Sequence, residues 1–234
     1  MWYKLKRIMM RPNGVEKQVR PSGWEPWANT VAYYPLTSQT TVNDMSGNNY
    51  TLINNGLSFG TYNGVSCAYK EGWILGAYSN ITNNPNWNSD RTYSFWSYNE
   101  NITIPGDIEC YISTGNRGSN QLVVLGASES SNGQEMVSQR WQSKYMGASL
   151  RGQWVYTCVT YDGATFYWYR NWVLLNTWSY VINTTWTTFA IGGYPNWGRY
   201  TFRWNFSNLI LENKARTAQE VADYYNLTKS NYWL

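Results

Sequence analysis

Few residues in this 234-residue chain can do acid–base chemistry, and their spacing limits what they can do. Asp107 and Glu109, in the stretch GDIEC, stand two apart, so a strand would place both carboxylates on one face. Glycoside hydrolysis needs a pair of acids flanking the scissile bond, one to protonate the leaving oxygen and one to act as nucleophile or base. Here no third acid continues the alternation, and the pair reads as a solvated strand edge in preference to a catalytic one. The sequence contains no histidine, which removes histidine triads, histidine metal sites and the commonest general base. It also lacks a glycine-rich phosphate cradle. No catalytic residue is assigned, and the chain is read as a non-enzyme.

Recognition chemistry is better supplied. A sugar ring needs an aromatic face to stack on and amides for its hydroxyls. Trp87 in PNWNS, and Tyr194, Asn196 and Trp197 in GYPNWGRY, fall in expected loops and would make such a platform. Against this, aromatics are 18% of the chain and most must be core, because runs such as ATFYWYR bury them on both faces of a strand.

The elements that would position these residues are strands. Only 14% of residues are charged, and short apolar or aromatic runs alternate with turn residues from Thr30 onward: TVAYYPL, RTYSFWSY, QLVVLG, WVYTCVTY, ATFYWYR, VLLNTWSYV and FSNLILEN. Several runs lack strict alternation, as expected of strands covered on both faces in a sandwich or barrel. One helix is expected in RTAQEVADYYNL, with Thr217 and Glu220 forming a capping box and Val221, Tyr224 and Tyr225 on one side. Its short length suggests packing at the sandwich edge.

Residues 1–29 read as a separate arm, a hairpin with a Pro-Asn-Gly turn, ahead of a domain spanning 30–234. The net charge of +4 is scattered apart from Lys4, Lys6, Arg7 and Arg11, too sparse for a nucleic-acid surface. Cys67, Cys110 and Cys158 show no CxxC spacing; Cys158 reads as a small core residue, and a disulfide is not required. The N-terminus lacks the apolar core of a signal peptide and no stretch reaches membrane-spanning length, so neither a membrane nor secretion by a leader is expected. Either the protein stays inside its host cell at synthesis, or it leaves by lysis, by assembly or from an unseen precursor, with a virion or the cell surface as its expected place.

In order along the chain, VAYYPLTSQTTVNDMSGNNYTL, YSFWSY with Trp96, GQWVYTCVTYDGATFYWYRNWVLLNT with Trp154 and the turn Tyr161-Asp162-Gly163, FAIGGY and FRWNFSNLILENKARTAQEVADYY resemble a laminin-G-like domain of the concanavalin A-like lectin/glucanase superfamily. The resemblance covers roughly residues 30–228. It implies an all-β fold: a two-sheet antiparallel jelly-roll β-sandwich with one short C-terminal helix, here preceded by the N-terminal β arm. It also implies calcium as the metal, held by hard oxygen ligands at a sandwich rim, with Asn43, Asp44 and Asn48 as candidates. An Asx-type turn built on Asp44 explains the same residues and is preferred. The hydrolases of the superfamily resemble one another in an alternating Glu-x-Asp-x-Glu strand that is missing here.

The departures from the family lie at tryptophans. Trp172 stands where the hairpin has glycine, and Trp204 where a closing strand has glycine; Trp87 and Trp197 also follow asparagine, where Asn-Gly would make an ordinary turn. Two readings stand: a genetic code in which UGA is glycine, or tryptophans in relaxed loops. Functionally, the chain reads as a non-catalytic module recognising a glycan or surface protein through rim loops. The alternative is a structural virion component such as a phage tail, fibre or head decoration, with the arm attaching it to an assembly.

Overall fold

The computed structural model describes residues 26–37, 41–69, 76–81, 85, 88–99, 108–115, 121–128, 134–139, 142–185, 188–193, 204–232 and 234. In chain order the strands are β1 (Thr30–Tyr34), β2 (Ile53–Asn54), β3 (Ser58–Tyr62), β4 (Val65–Tyr69), β5 (Ala77–Asn80), β6 (Arg91–Asn99), β7 (Ile108–Gly115) and β8 (Leu122–Ser128), then β9 (Gln134–Gln139), β10 (Gln142–Ala148), β11 (Trp154–Tyr161), β12 (Thr165–Arg170), β13 (Val173–Ser179), β14 (Thr188–Ile191) and β15 (Trp204–Glu212). They form two antiparallel sheets. The larger runs β13-β12-β11-β6-β15-β4-β3, with β1 paired to β15 beyond β4; the smaller runs β10-β9-β8-β7-β14-β5-β2. This is the expected two-sheet sandwich.

The alternation of side chains explains why the central strands read as continuous apolar runs. On β6, Tyr93 and Phe95 point into the core between the sheets, while Trp96 belongs to a second buried cluster on the opposite face. That second face, with Tyr156 and Cys158 of β11, is covered by α1 (Ala218–Thr228) through Val221 and Tyr224. The helix therefore caps the face of the central strands and not the edge of the sandwich, because the outward aromatics of β6 and β11 need cover. Trp96 stacks on Tyr232 with ring centroids 3.9 Å apart and donates its indole hydrogen to Thr228 Oγ1 at 3.1 Å.

The expected local signals operate as chemistry predicts. Thr217 Oγ1 accepts from the Glu220 amide at 3.2 Å, and Glu220 Oε2 accepts from the Thr217 amide at 2.9 Å. In the β11–β12 turn, Asp162 Oδ1 accepts from the amides of Thr165 at 2.8 Å and Ala164 at 3.0 Å, around Gly163 at φ +89°. The three cysteines are buried free thiols. The arm's residues 1–25 lie outside the described residues; residues 26–29 form a 3-10 turn leading into β1. Among the described residues no helix is long and apolar enough to cross a membrane.

Candidate functional site

The interior carboxylates come first, because they would carry any acid–base chemistry. Glu109 is 1% exposed, which overturns its reading as part of a solvated strand edge; Asp107 lies outside the described residues. Glu109 faces the opposite sheet, and its Oε2 accepts the indole hydrogen of Trp204 at 2.6 Å. In the same row of the smaller sheet, Glu109 pairs with Ala127 and Ala127 with Glu135, so the acids sit two strands, about 10 Å, apart. Glu135, also 1% exposed, accepts from Trp168 Nε1 at 3.0 Å and pairs with Arg170 Nη2 at 2.6 Å.

This is an inter-sheet polar cluster, with β7 and β9 supplying acids and β12 and β15 supplying donors. Burial pushes the Glu135 carboxyl above the usual range, and Arg170 and Trp168 pull it back only in part. Burial likewise pushes Tyr111 well up, reinforced by the charges of Glu135 and Glu109. Sequence reasoning missed Glu135 and Arg170. Arg170 carried a readable signal, since it stands two residues after the core-facing Trp168; Glu135 in GQEMVSQ carried none.

The Asn43–Asn48 loop is built around one carboxylate. Asp44 Oδ1 accepts from the amides of Ser46 at 2.8 Å and Tyr33 at 2.9 Å, while Oδ2 accepts from Ser46 Oγ at 2.8 Å and the Tyr50 amide at 3.0 Å. Asn48 turns its amide nitrogen onto the Val31 and Thr30 carbonyls at 3.0 and 3.1 Å, and Asn43 Oδ1 accepts from Thr41 at 2.9 Å. A calcium site wants six to eight converging oxygens. Here Asp44 faces four protein donors and Asn48 points nitrogen inward, a donor set that fits an Asx turn stapling β1 and does not fit calcium. Among the described residues no group of three or more acids, cysteines or histidines could hold a metal.

At the β12–β13 turn, Asn171 has φ +44° and Trp172 φ +71°, so both central residues are left-handed, as a type I′ hairpin requires. Asn171 is locked to β11: its Oδ1 accepts from the Tyr156 amide and its own amide donates to the Tyr156 carbonyl, both at 2.9 Å. Trp172 is held outward, 51% exposed.

The expected platform residues Trp87, Tyr194, Asn196 and Trp197 lie outside the described residues. Their described flanks sit at opposite ends of the sandwich. Pro85 offers its carbonyl to Thr184 Oγ1 at 3.3 Å, which in turn accepts from Arg91 at the start of β6. Gly192 donates to the Tyr111 carbonyl at 2.9 Å, and Trp204 pairs with Asn99 at the end of β6.

The sequence matches no family model and no curated protein. Among solved structures the chain is similar to the receptor-binding domain of a botulinum neurotoxin C/D mosaic serotype, with TM-score 0.66 and 14% identity over 86% of this chain and 51% of that one. It is also similar to the binding domain of Paraclostridial Mosquitocidal Protein 1, with TM-score 0.64 and 16% identity over 87% and 53%. A Trypanosoma rangeli sialidase gives TM-score 0.68 and 11% identity over 95% and 36%. The chain thus spans about half of the toxin domains and about a third of the sialidase. The likeness shows the fold alone, an antiparallel two-sheet sandwich.

Proposed function

We propose that the chain is a non-catalytic recognition module that binds a glycan through the loops at its strand ends, displayed on a virion or cell surface. The observation that carries this reading is the state of Glu109 and Glu135. The two acids that share a row on one sheet are sealed in the interior, held by Trp204 and by Trp168 with Arg170. A hydrolase needs such acids at a substrate-accessible surface with room for a sugar between them. In this chain they join the sheets, which supports a non-catalytic reading with recognition at the rims. The neighbours that are binding domains of toxins support the same reading by analogy of fold alone.

A glycan array, followed by titration of tryptophan fluorescence with the oligosaccharides that score, tests the proposal. Binding that survives Glu109→Gln and is lost in Trp197→Ala or Trp87→Ala supports it. Absence of any response removes the glycan; turnover of an oligosaccharide that Glu109→Gln abolishes would make the chain an enzyme. Neighbouring genes for capsid or tail proteins would instead support the virion alternative.

A further inference from the structure

We propose that two copies of this chain associate through antiparallel pairing of their β13 strands, joining the two larger sheets into one. Among the described residues, strand β13 ends the larger sheet and pairs with β12 alone. Its flank carries an unusual share of the exposed apolar surface: Trp172 at 51%, Val173 at 48%, Leu174 at 46%, Leu175 at 36% and Val181 at 58%. Tyr145 of the adjoining β10, 40% exposed, extends the patch, and Asn176 ties the two strands by donating to the Tyr145 carbonyl at 3.2 Å.

Proteins blunt exposed edges with charge, brevity, proline or bulges. Two of the other edges show such devices: β2 has two residues, and β10 carries Gln142, Ser143 and Lys144 with a register shift beside Gly147; β3, Ser-Phe-Gly-Thr-Tyr, has none but exposes no large apolar side chain. From Asn171 to Ile182 there is no charged residue. The one irregularity of β13 is the register shift opposite Trp168 and Tyr169, which leaves Leu174 and Leu175 both exposed.

A second copy is the occupant that fits. An uncharged strand meets no like-charge repulsion from itself and gives a charged partner nothing to pair with. A two-fold axis through Thr177, with Leu174 and the bulged Leu175 together opposite Ser179, sets Trp172 against the second copy's Val181, matching the apolar side chains at the two ends of the edge. A specific interface removes about 1,000 Å² in total, and the exposed side chains along the edge together with Tyr145 are what the pairing would cover. Two copies also present two sets of rim loops, and a ligand repeated on a surface is then bound with avidity.

Sedimentation velocity and light scattering of the full chain over a concentration series test this. The expected result is a monomer–dimer equilibrium, with Leu174→Lys and Val181→Lys each raising the dissociation constant at least about tenfold without lowering the melting temperature. Should Leu174→Lys fail to fold, Val181→Lys, which lies beyond the strand, decides alone. The register is read by oxidation: a mixture of Trp172→Cys and Val181→Cys chains cross-links more than either alone. A monomer at the highest soluble concentration, a dimer untouched by both lysines, or a monomer that adds a foreign extended peptide at β13 would overturn the proposal.

Discussion

The indole of Trp204 donates to the Glu109 carboxylate from the opposite sheet at 2.6 Å, and its ring centroid lies 4.4 Å from that of Tyr111. Removing one partner of a buried hydrogen bond leaves the other unsatisfied, at a cost of about 1–3 kcal/mol. Trp204→Phe should therefore lower the unfolding free energy in urea by about that much, and Trp204→Ala, which also empties the volume of a ring, by about 3–5 kcal/mol. Trp204→Phe within about 0.5 kcal/mol of the parent would show that the bond contributes little.

Glu135 makes stability depend on pH with a sign opposite to that of an ordinary surface ion pair. Burial raises its folded pKa above the ordinary carboxylate range, and Arg170 and Trp168 offset this only partly. An acid whose folded pKa is raised holds its proton more tightly when folded. Its contribution is full below the unfolded pKa and is lost as pH rises through the folded one. Against Glu135→Gln, whose melting temperature lacks this dependence, the parent should lose relative stability as pH climbs above about 4.5. A difference curve that is flat, or that rises, would show that the Arg170 pair dominates.

The framework was legible where local chemistry and periodicity agree. The runs containing Trp96, Trp154 and Trp168 became strands because aromatic and β-branched residues covered on both faces favour the pleat, and Thr217 with Glu220 announced the helix start. The position of that helix was not legible, because which face of a sheet needs cover depends on pairing between strands distant in sequence. Glu109 failed for the same reason: two acids on alternating positions look alike whether their face meets water or a tryptophan from the other sheet. The rim platform rested on composition of loops alone, and the arrangement of loops is set by their anchors, which Arg91 and Trp204 place at opposite ends of β6.

Asp44 should act as a structural staple. Its four donors come from Tyr33, Ser46 and Tyr50, so the carboxylate ties β1 to the following loop. Asp44→Ala leaves buried or half-buried amides without an acceptor and should cost about 1–3 kcal/mol. Millimolar calcium or a chelator should leave the parent's melting temperature unchanged. A calcium-dependent rise that Asp44→Ala abolishes would instead make this loop a metal site and reverse the assignment.

Trp172 sits at φ +71° beside Asn171 at φ +44°, a pair of positions where Asn-Gly is the ordinary choice. Left-handed backbone at a bulky residue costs about 1–2 kcal/mol, whereas glycine adopts it freely and loses part of that gain to its extra freedom when unfolded. Trp172→Gly should therefore stabilise the dilute monomer by about 1 kcal/mol in denaturant titration, while weakening any association that uses the ring at the β13 edge. The same position decides how the gene is read. Peptide mass spectrometry of the native protein that finds tryptophan at 172 refutes UGA as glycine and leaves the strain to be explained by the contact the ring makes. Glycine at 172 would remove the strain and also the aromatic tip, and a glycine at 204 would take away the indole that Glu109 accepts from.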